Sequence, residues 1–357
     1  MTTSDMLPAE RRAKVVELIR DRGTARVHDL ADALDVSAIT VRRDINFLAE
    51  QGLVHRVRGG ATVAGGPVPG TAPPAGELPT VGMVVPSLDY YWPDVIKGVR
   101  EASAEEDVRI VLRGATYEAA DERRQLARLV ETGAVDGLLV APTTTGAEGE
   151  ALVEWLRSVD LPVVLLERTP GDSYREVVES VVSDHARGAA MAVVHLAEAG
   201  HRRVGVCTTV TSPTSPHVRR GWREACERLG LPVEGTPDVR TADSRDPAWP
   251  AALDALLDRC AATGTTALLV HSDPEAISLV QRCQERGVHV PRDLAVVTYD
   301  DEVAELCDPP LTAVRPPKAA VGRAAVALLA ARLRDHDPHR PAHRVVIEPR
   351  LVVRSSS

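Results

Sequence analysis

Residues 89–94 read DYYWPD, so Tyr90, Tyr91 and Trp92 stand side by side between Asp89 and Asp94 in a chain with only four Trp, five Tyr and one Phe. A flat ring packs against the C–H face of a sugar, and a carboxylate beside it accepts from paired hydroxyls. That grouping predicts the wall of a small-molecule pocket. The competing reading is a subunit interface packed with the same rings. Bond-making chemistry is harder to find. The chain has no G-x-S-x-G, no P-loop and no G-x-G-x-x-G. His185, His195 and His201 are ten and six residues apart, which does not bring them to one metal-binding face, so they read as core or surface histidines. Asp300 and Asp301 resemble a general acid/base pair, but adjacent residues at a strand end point apart. No catalytic residue, metal or cofactor is expected, and the chain is not expected to be an enzyme.

The elements that must position the ring cluster alternate. Apolar runs recur at 81–86 (VGMVVP), 108–113 (VRIVLR), 136–142 (DGLLVAP), 162–167 (PVVLLE), 204–208 (VGVCT), 267–272 (ALLVHS) and 294–301 (LAVVTYDD). Helix-period segments lie between them. Short continuous Val/Leu runs mark parallel strands buried on both faces. About 280 residues of alternation is too long for one compact sheet, so two doubly wound lobes are expected. Such sheets bind ligands beyond the carboxyl ends of their strands, and DYYWPD falls just past the first run.

The net charge of −9 is unevenly distributed. Residues 1–63 carry 10 Lys+Arg against 9 Asp+Glu, and the remainder carries 32 against 42. Residues 64–80, AGGPVPGTAPPAGELPT, hold five Pro and four Gly and read as a linker. Within the first segment, 9–22 and 27–34 have helical spacing, and a third helix starts after Ser37, a good N-cap residue. Val41, Ile45 and Leu48 share one face of that helix; Ile39, Arg43 and Asn46 lie opposite, flanked by Thr40 and Arg42. A hairpin carrying Arg56 and Arg58 follows. This pattern predicts a winged helix-turn-helix whose third helix enters the major groove, where Arg reads guanine, Asn reads adenine, and Ile or Thr meets a thymine methyl. A three-helix cap with a solvated charged face is the alternative. No run approaches the ~20 apolar residues of a membrane span. The N-terminal sequence lacks a secretory pattern, so a cytoplasmic protein is expected. The five scattered cysteines read as free thiols.

VSAITVRRDINFLAEQGLVHRVRGGA (36–61) closely resembles the helix-turn-helix signature of DeoR-type regulators. That resemblance implies DNA contacts from Thr40, Arg42 and Arg43, with Arg56 and Arg58 supporting the wing. From residue 81 the chain instead resembles the sensor of LacI/GalR-type regulators, through VDGLLVAP, GHRRVGV, RGWREACERLGL, GVHVPRDLAVVTYDDEVAELCDPPLTAV and VGRAAVALLAARL. The resemblance implies an α/β protein: an N-terminal winged helix-turn-helix joined to a two-lobed, type I periplasmic-binding-protein-like sensor with doubly wound parallel sheets. The expected domains are 1–63 for the DNA-binding unit, 64–80 for the linker and 81–357 for the sensor. Lobe 1 is expected at about 81–182 plus 316–357, and lobe 2 at about 183–315. The LacI hinge helix is replaced by the linker.

Carried over position by position, the resemblance implies ligand contacts from Asp89, Tyr90, Tyr91 and Trp92, from Glu167 and Arg168, from Ser272 and Asp273, and from Asp300 and Arg315. Asp184 follows a crossover strand toward the cleft. The family's ligand-binding Arg corresponds to Val218, with Arg219 one residue away. A helix N-cap is the alternative role for Asp184 and Asp273. The expected function is a homodimeric transcriptional regulator, most simply a repressor, that binds duplex operator DNA under control of a small sugar or polyol in the interlobe cleft. Activation, or sensing of a nucleoside or sugar phosphate, are the alternatives.

Overall fold

The computed structural model describes residues 8–22, 24–50, 54–57, 59–63, 78–169, 178–335, 337 and 339–357. Most of the expected linker, and Arg58, lie outside them. The chain forms two compact units: 1–88 with 96–180 and 322–344, and 89–95 with 181–321 and 345–357.

The first unit begins with α1 (Pro8–Arg22), β1 (Thr24–Arg26), α2 (Val27–Leu34), α3 (Ala38–Glu50), β2 (Val54–Val57) and β3 (Gly60–Val63). Val41, Ile45 and Leu48 of α3 are buried with Val15, Ile19, Leu30 and Leu34, as the spacing predicts. Ser37 caps α3, its Oγ accepting from the Thr40 N–H at 3.2 Å. The hairpin of β2 and β3 is extended by β1 into a three-stranded sheet in the order β1-β3-β2. A three-residue strand is too short to show alternation, which is why sequence pattern missed it.

The same unit holds β4 (Thr80–Val85), α4 (Trp92–Glu105), β5 (Arg109–Gly114), α5 (Ala119–Glu131), β6 (Gly137–Val140), α6 (Gly146–Ser158), β7 (Val163–Leu166) and β8 (Glu179–Ser183). Trp92–Val95, the first turn of α4, and the last residues of β8 are counted with the second unit. The sheet order is β14-β8-β7-β6-β4-β5, with β14 at Arg344–Ile347. β4 is buried along its whole length, as its continuous apolar run requires.

The second unit is built from α7 (His185–Glu198), β9 (Val204–Thr209), α8 (Ser215–Arg228), β10 (Asp238–Thr241), α9 (Trp249–Thr263), β11 (Ala267–His271), α10 (Asp273–Glu285), β12 (Ala295–Tyr299), β13 (Thr312–Arg315), the first turn of α11 (Lys318–Arg334) and β15 (Arg350–Val352). Its sheet runs β10-β9-β11-β12-β13-β15, parallel except for β15. Alternate residues feed two cores. Val204, Val206, Leu269 and Val297 pack with α7 and α8. Leu268, Val270, Val296 and Ala313 pack with α9 and α10. The chain starts on β9, adds β10 on one side and then returns to add β11 on the other. The same order occurs around β4 in the first unit, and each sheet has a topological switch point beside its first strand.

Contacts divide the sensor differently from the expected lobes. Residues 345–357 group with the second unit, in which β15 pairs with β13, although β14 lies beside β8 in the other sheet; 89–95 also group with the second unit. β15 is short and only half-buried, so it lacks the apolar run that identifies its neighbours.

Helices α7 and α8 approach closely at Gly221. A Cβ there would lie 1.9 Å from the carbonyl oxygen of Ala186. Backbone cannot yield as a side chain can, so Gly221→Ala should lower stability by about 3 kcal/mol or more. Denaturant unfolding measures it; a variant as stable as the parent contradicts the packing described.

Candidate functional site

In α3 the charged residues divide by face. Asp44 is buried, and its carboxylate accepts from Arg11 Nε at 2.5 Å and from Arg12 Nε at 2.9 Å. Arg12 also lies over the Phe47 ring at 3.8 Å. This pins α3 to α1 and leaves Ile39 and Arg43 exposed, with Thr40, Arg42 and Asn46 half-buried. Arg42 donates to the carbonyl oxygen of Val130, at the end of α5, at 3.0 Å. A cavity of about 420 Å³ lies there, lined by Ile39, Arg42 and Asn46 on one side and Ala127, Val130 and Trp155 on the other. A guanidinium so engaged reads no base, so groove binding requires Arg42 to release Val130. Arg56 lies in β2.

At the carboxyl ends of the sheet strands, several residues adopt positive φ without being glycine: Tyr90 (57°) after β4, Glu167 (53°) after β7, and Asp300 (95°) and Asp301 (54°) after β12. Such a conformation costs about 1–2 kcal/mol for an L-residue, and this strain gathers at binding sites.

In the second unit the Tyr90 hydroxyl accepts from the Asp273 N–H at 3.3 Å. Tyr90 is exposed as a residue, but crowding around its hydroxyl, then the charges of Asp300 and Asp273, raise the phenol's pKa. Tyr91 is half-buried and meets Trp92 edge-to-face, with ring centres 5.8 Å apart. Lys318 Nζ stands 5.3 Å from the Tyr91 ring centre. Asp89 is exposed. Trp92 is only 2% exposed, so the expected wall offers Tyr90 and Tyr91 while Trp92 backs them.

Other candidates hold structural partners. Asp184 caps α7, accepting from the Arg187 N–H at 2.9 Å. Ser272 and Glu275 form a capping box on α10. Arg219 makes two 2.7 Å bonds to Asp238, which raise its pKa; it is engaged on the edge strand β10. Asp273 is fully buried and accepts from Thr298 Oγ1 at 2.8 Å and from the N–H groups of Glu302 and Val303 at 2.6 and 3.0 Å. Arg315 is paired with Asp301 at 2.5 Å, and Arg354 stands 2.8 Å from the other oxygen of Asp301. In the first unit, Arg168 donates to the carbonyls of Pro142 and Glu167, and the Glu167 side chain is largely buried. Sequence reasoning missed Glu122, buried on α5. Its carboxylate accepts from Thr143 N and Oγ1 at 2.7 and 3.1 Å, and burial raises its pKa.

Asp300 has a different environment. It is 4% exposed, and burial pushes its pKa up to about 6 against the opposing charge of Lys318. Lys318 Nζ donates to its carbonyl at 2.7 Å. Nε2 of His271 lies 3.7 Å from its carboxylate. Burial lowers the His271 pKa to about 4, with the nearby His185 charge acting in the same direction. His185, Tyr299 and His217 continue the group: ring centres are 5.6 Å apart for His271–Tyr299, 5.8 Å for Tyr299–His185 and 6.4 Å for His185–His217. Gly188 makes room, since a Cβ there would stand 2.6 Å from the Tyr299 hydroxyl. Sequence reasoning assigned no role to His217, His271 or Tyr299. Among the described residues no group of His, Cys, Asp or Glu is arranged to hold a metal, and no helix is long and apolar enough to cross a membrane.

Residues 11–65 match the family profile of a DeoR-like helix-turn-helix domain, and 193–357 match that of a periplasmic binding protein-like domain. The arabinose metabolism transcriptional repressor of Geobacillus stearothermophilus is 24% identical over 92% of this chain and 90% of its own length. The transcriptional repressor PurR of Vibrio atlanticus is 28% identical over 78% and 80%. The structure of the transcriptional regulator CelR in complex with cellobiose superposes with a TM-score of 0.67 at 25% identity, covering 96% of this chain and 99% of that one.

The pair Asp300–His271 makes two opposite demands on pH. The unfolded Asp ionises near 4 and the folded one near 6, so wild type loses stability as pH rises across that window. The stability of Asp300→Asn relative to wild type should therefore grow from pH 4 to 6, by up to about 3 kcal/mol, and then stay level. The buried neutral His271 costs wild type stability as pH falls from 6.5 to 4, so His271→Phe should gain relative to wild type in that direction. Denaturant unfolding at half-unit pH steps reads both differences. Profiles parallel to wild type contradict the burial described.

Proposed function

We infer that the protein is a sequence-specific DNA-binding transcriptional repressor whose operator affinity is set by a small polyol held at the strand ends of its sensor. The observation that carries this reading is the joining, in one chain, of a DeoR-like helix-turn-helix with a periplasmic-binding-protein-like domain. Relatives matched over most of the chain are named repressors, one of arabinose metabolism, and the CelR relative is a complex with cellobiose.

On the DNA side, α3 enters the major groove. Arg43 and Ile39 are already exposed; Arg42, Thr40 and Asn46 complete the reading face, and Arg56 and Arg58 touch phosphate from the wing. The protein acts as a homodimer on two half-sites in the cytoplasm. On the ligand side, Tyr90 and Tyr91 offer ring faces and Asp300 offers a carboxylate that is ionised at neutral pH. Asp89 and Trp92 border the site or back it, and Glu167 and Arg168 are the corresponding candidates at a strand end of the first unit. Asp273 and Arg315 hold the turn that carries Asp300, Asp184 and Ser272 cap α7 and α10, and Arg219 braces β10. A buried carboxylate requires donors, and sugar hydroxyls supply them where a phosphate does not.

Two measurements test this function. Selection from a random duplex pool should return one operator sequence, and Arg43→Ala should bind it about ten- to a hundredfold more weakly, an effect of 1–3 kcal/mol. A thermal-shift panel of monosaccharides, disaccharides, sugar alcohols, nucleosides and sugar phosphates should give concentration-dependent stabilisation by a neutral polyol. Enrichment of no sequence, or stabilisation only by a phosphorylated compound, overturns the corresponding half of the reading.

A further inference from the structure

Two polar atoms at the strand ends of the second unit have no hydrogen-bond partner among the described residues. Thr208 is wholly buried and His271 is 4% exposed. Thr208 Oγ1 and His271 Nδ1 are buried, and neither makes a hydrogen bond among the described residues. A buried polar group left unpaired costs about 1–3 kcal/mol, so two together at one place need an explanation.

Their position supplies it. Thr208 and His271 are direct register partners on β9 and β11. Partners in a parallel pair project to the same face, here the face bearing Val204, Val206, Ala267 and Leu269. β9 and β11 flank the point where the order of the sheet reverses, and a ligand in such a fold binds at the carboxyl side of that point. Each residue comes at or next to the carboxyl end of its strand. The ring row from His217, which is half-exposed, through His185 and Tyr299 to His271 leads inward to the same place.

We propose that Thr208 Oγ1 and His271 Nδ1 form a subsite that takes one neutral hydroxyl of the effector. This rests on the polyol reading and deepens it by naming the group that is recognised. The carboxylate of Asp300, 3.7 Å from His271 Nε2, favours the tautomer with hydrogen on Nε2, which leaves Nδ1 an acceptor. The incoming group must donate to Nδ1 and can accept from the Thr208 hydroxyl. An alcohol does both. A ketone, a carboxylate or a fully ionised phosphate presents acceptors alone and would face the Nδ1 lone pair. Because the site hydrogen-bonds a hydroxyl, deoxy analogues lacking it are rejected.

Thr208→Val separates this role from a structural one, with Thr208→Ser as the variant that keeps the hydroxyl. The probes are L-arabinose, cellobiose and whichever polyol most stabilises wild type. Without sugar, Thr208→Val should melt at the wild-type temperature or a few degrees above it, because it removes an unpaired buried hydroxyl. With sugar, its affinity by calorimetry should fall about tenfold or more, while Thr208→Ser stays within a few fold of wild type. The ¹⁵N resonance of His271 Nδ1 should shift on sugar addition in wild type. If Thr208→Val binds sugar as wild type does, or if it melts well below wild type without sugar, the subsite is overturned while the polyol reading stands. A wild type that responds to no polyol overturns both.

Discussion

A carboxylate with no access to water, that of Asp273, holds the candidate site together. It lies at the start of α10, yet it accepts from Thr298 at the end of β12 and from the N–H groups of Glu302 and Val303 beyond it. Those three bonds fix the turn that carries Asp300 and Asp301. Burial raises the Asp273 pKa, and the bond from Val303 is the leading effect opposing it. The turn then fixes Lys318, which donates to the Asp300 carbonyl and pairs with Glu302. Asp300 can remain at positive φ, buried beside His271, because its neighbours are anchored through a different acid.

The DNA-binding end uses the same device. Asp44 belongs to the Arg-Arg-Asp run of α3, and its burial against Arg11 and Arg12 decides which way the helix faces. Arg43 projects about 100° around the helix from Asp44, so burial of the acid leaves Arg43 exposed. In both places a buried acid orients the residues beside it in the chain.

Much of this was legible in the sequence. Continuous Val/Leu runs located the buried parallel strands, and helical spacing separated Val41, Ile45 and Leu48 from Ile39, Arg43 and Asn46. The roles of the acids were not legible. Asp273 and Asp300 are the same residue type at comparable strand ends. Their difference arises from backbone N–H groups supplied by Glu302 and Val303, about thirty residues along the chain from Asp273. Arg219 looked available because its partner Asp238 lies on a short polar edge strand that leaves no apolar run. Trp92 looked like a pocket wall because sequence cannot show which of three adjacent rings turns inward. The buried polar residues at the strand ends do leave a trace in the sequence. The runs 204–208, 267–271 and 295–299 each follow core positions with a polar or amphipathic residue at or near the carboxyl end: Thr208, His271 and Tyr299.

The proposed coupling converts polyol binding at the Asp300–His271 end of the sensor into a change in operator affinity. Its most direct measurement is fluorescence anisotropy of labelled operator, held in complex with the full-length protein and titrated with the stabilising polyol at constant salt. Saturable release is expected, with operator affinity weakened by roughly five- to 150-fold, the range of ordinary coupling energies. By reciprocity, operator DNA should weaken polyol binding by the same factor. Operator affinity unchanged at polyol concentrations that saturate the sensor would contradict it.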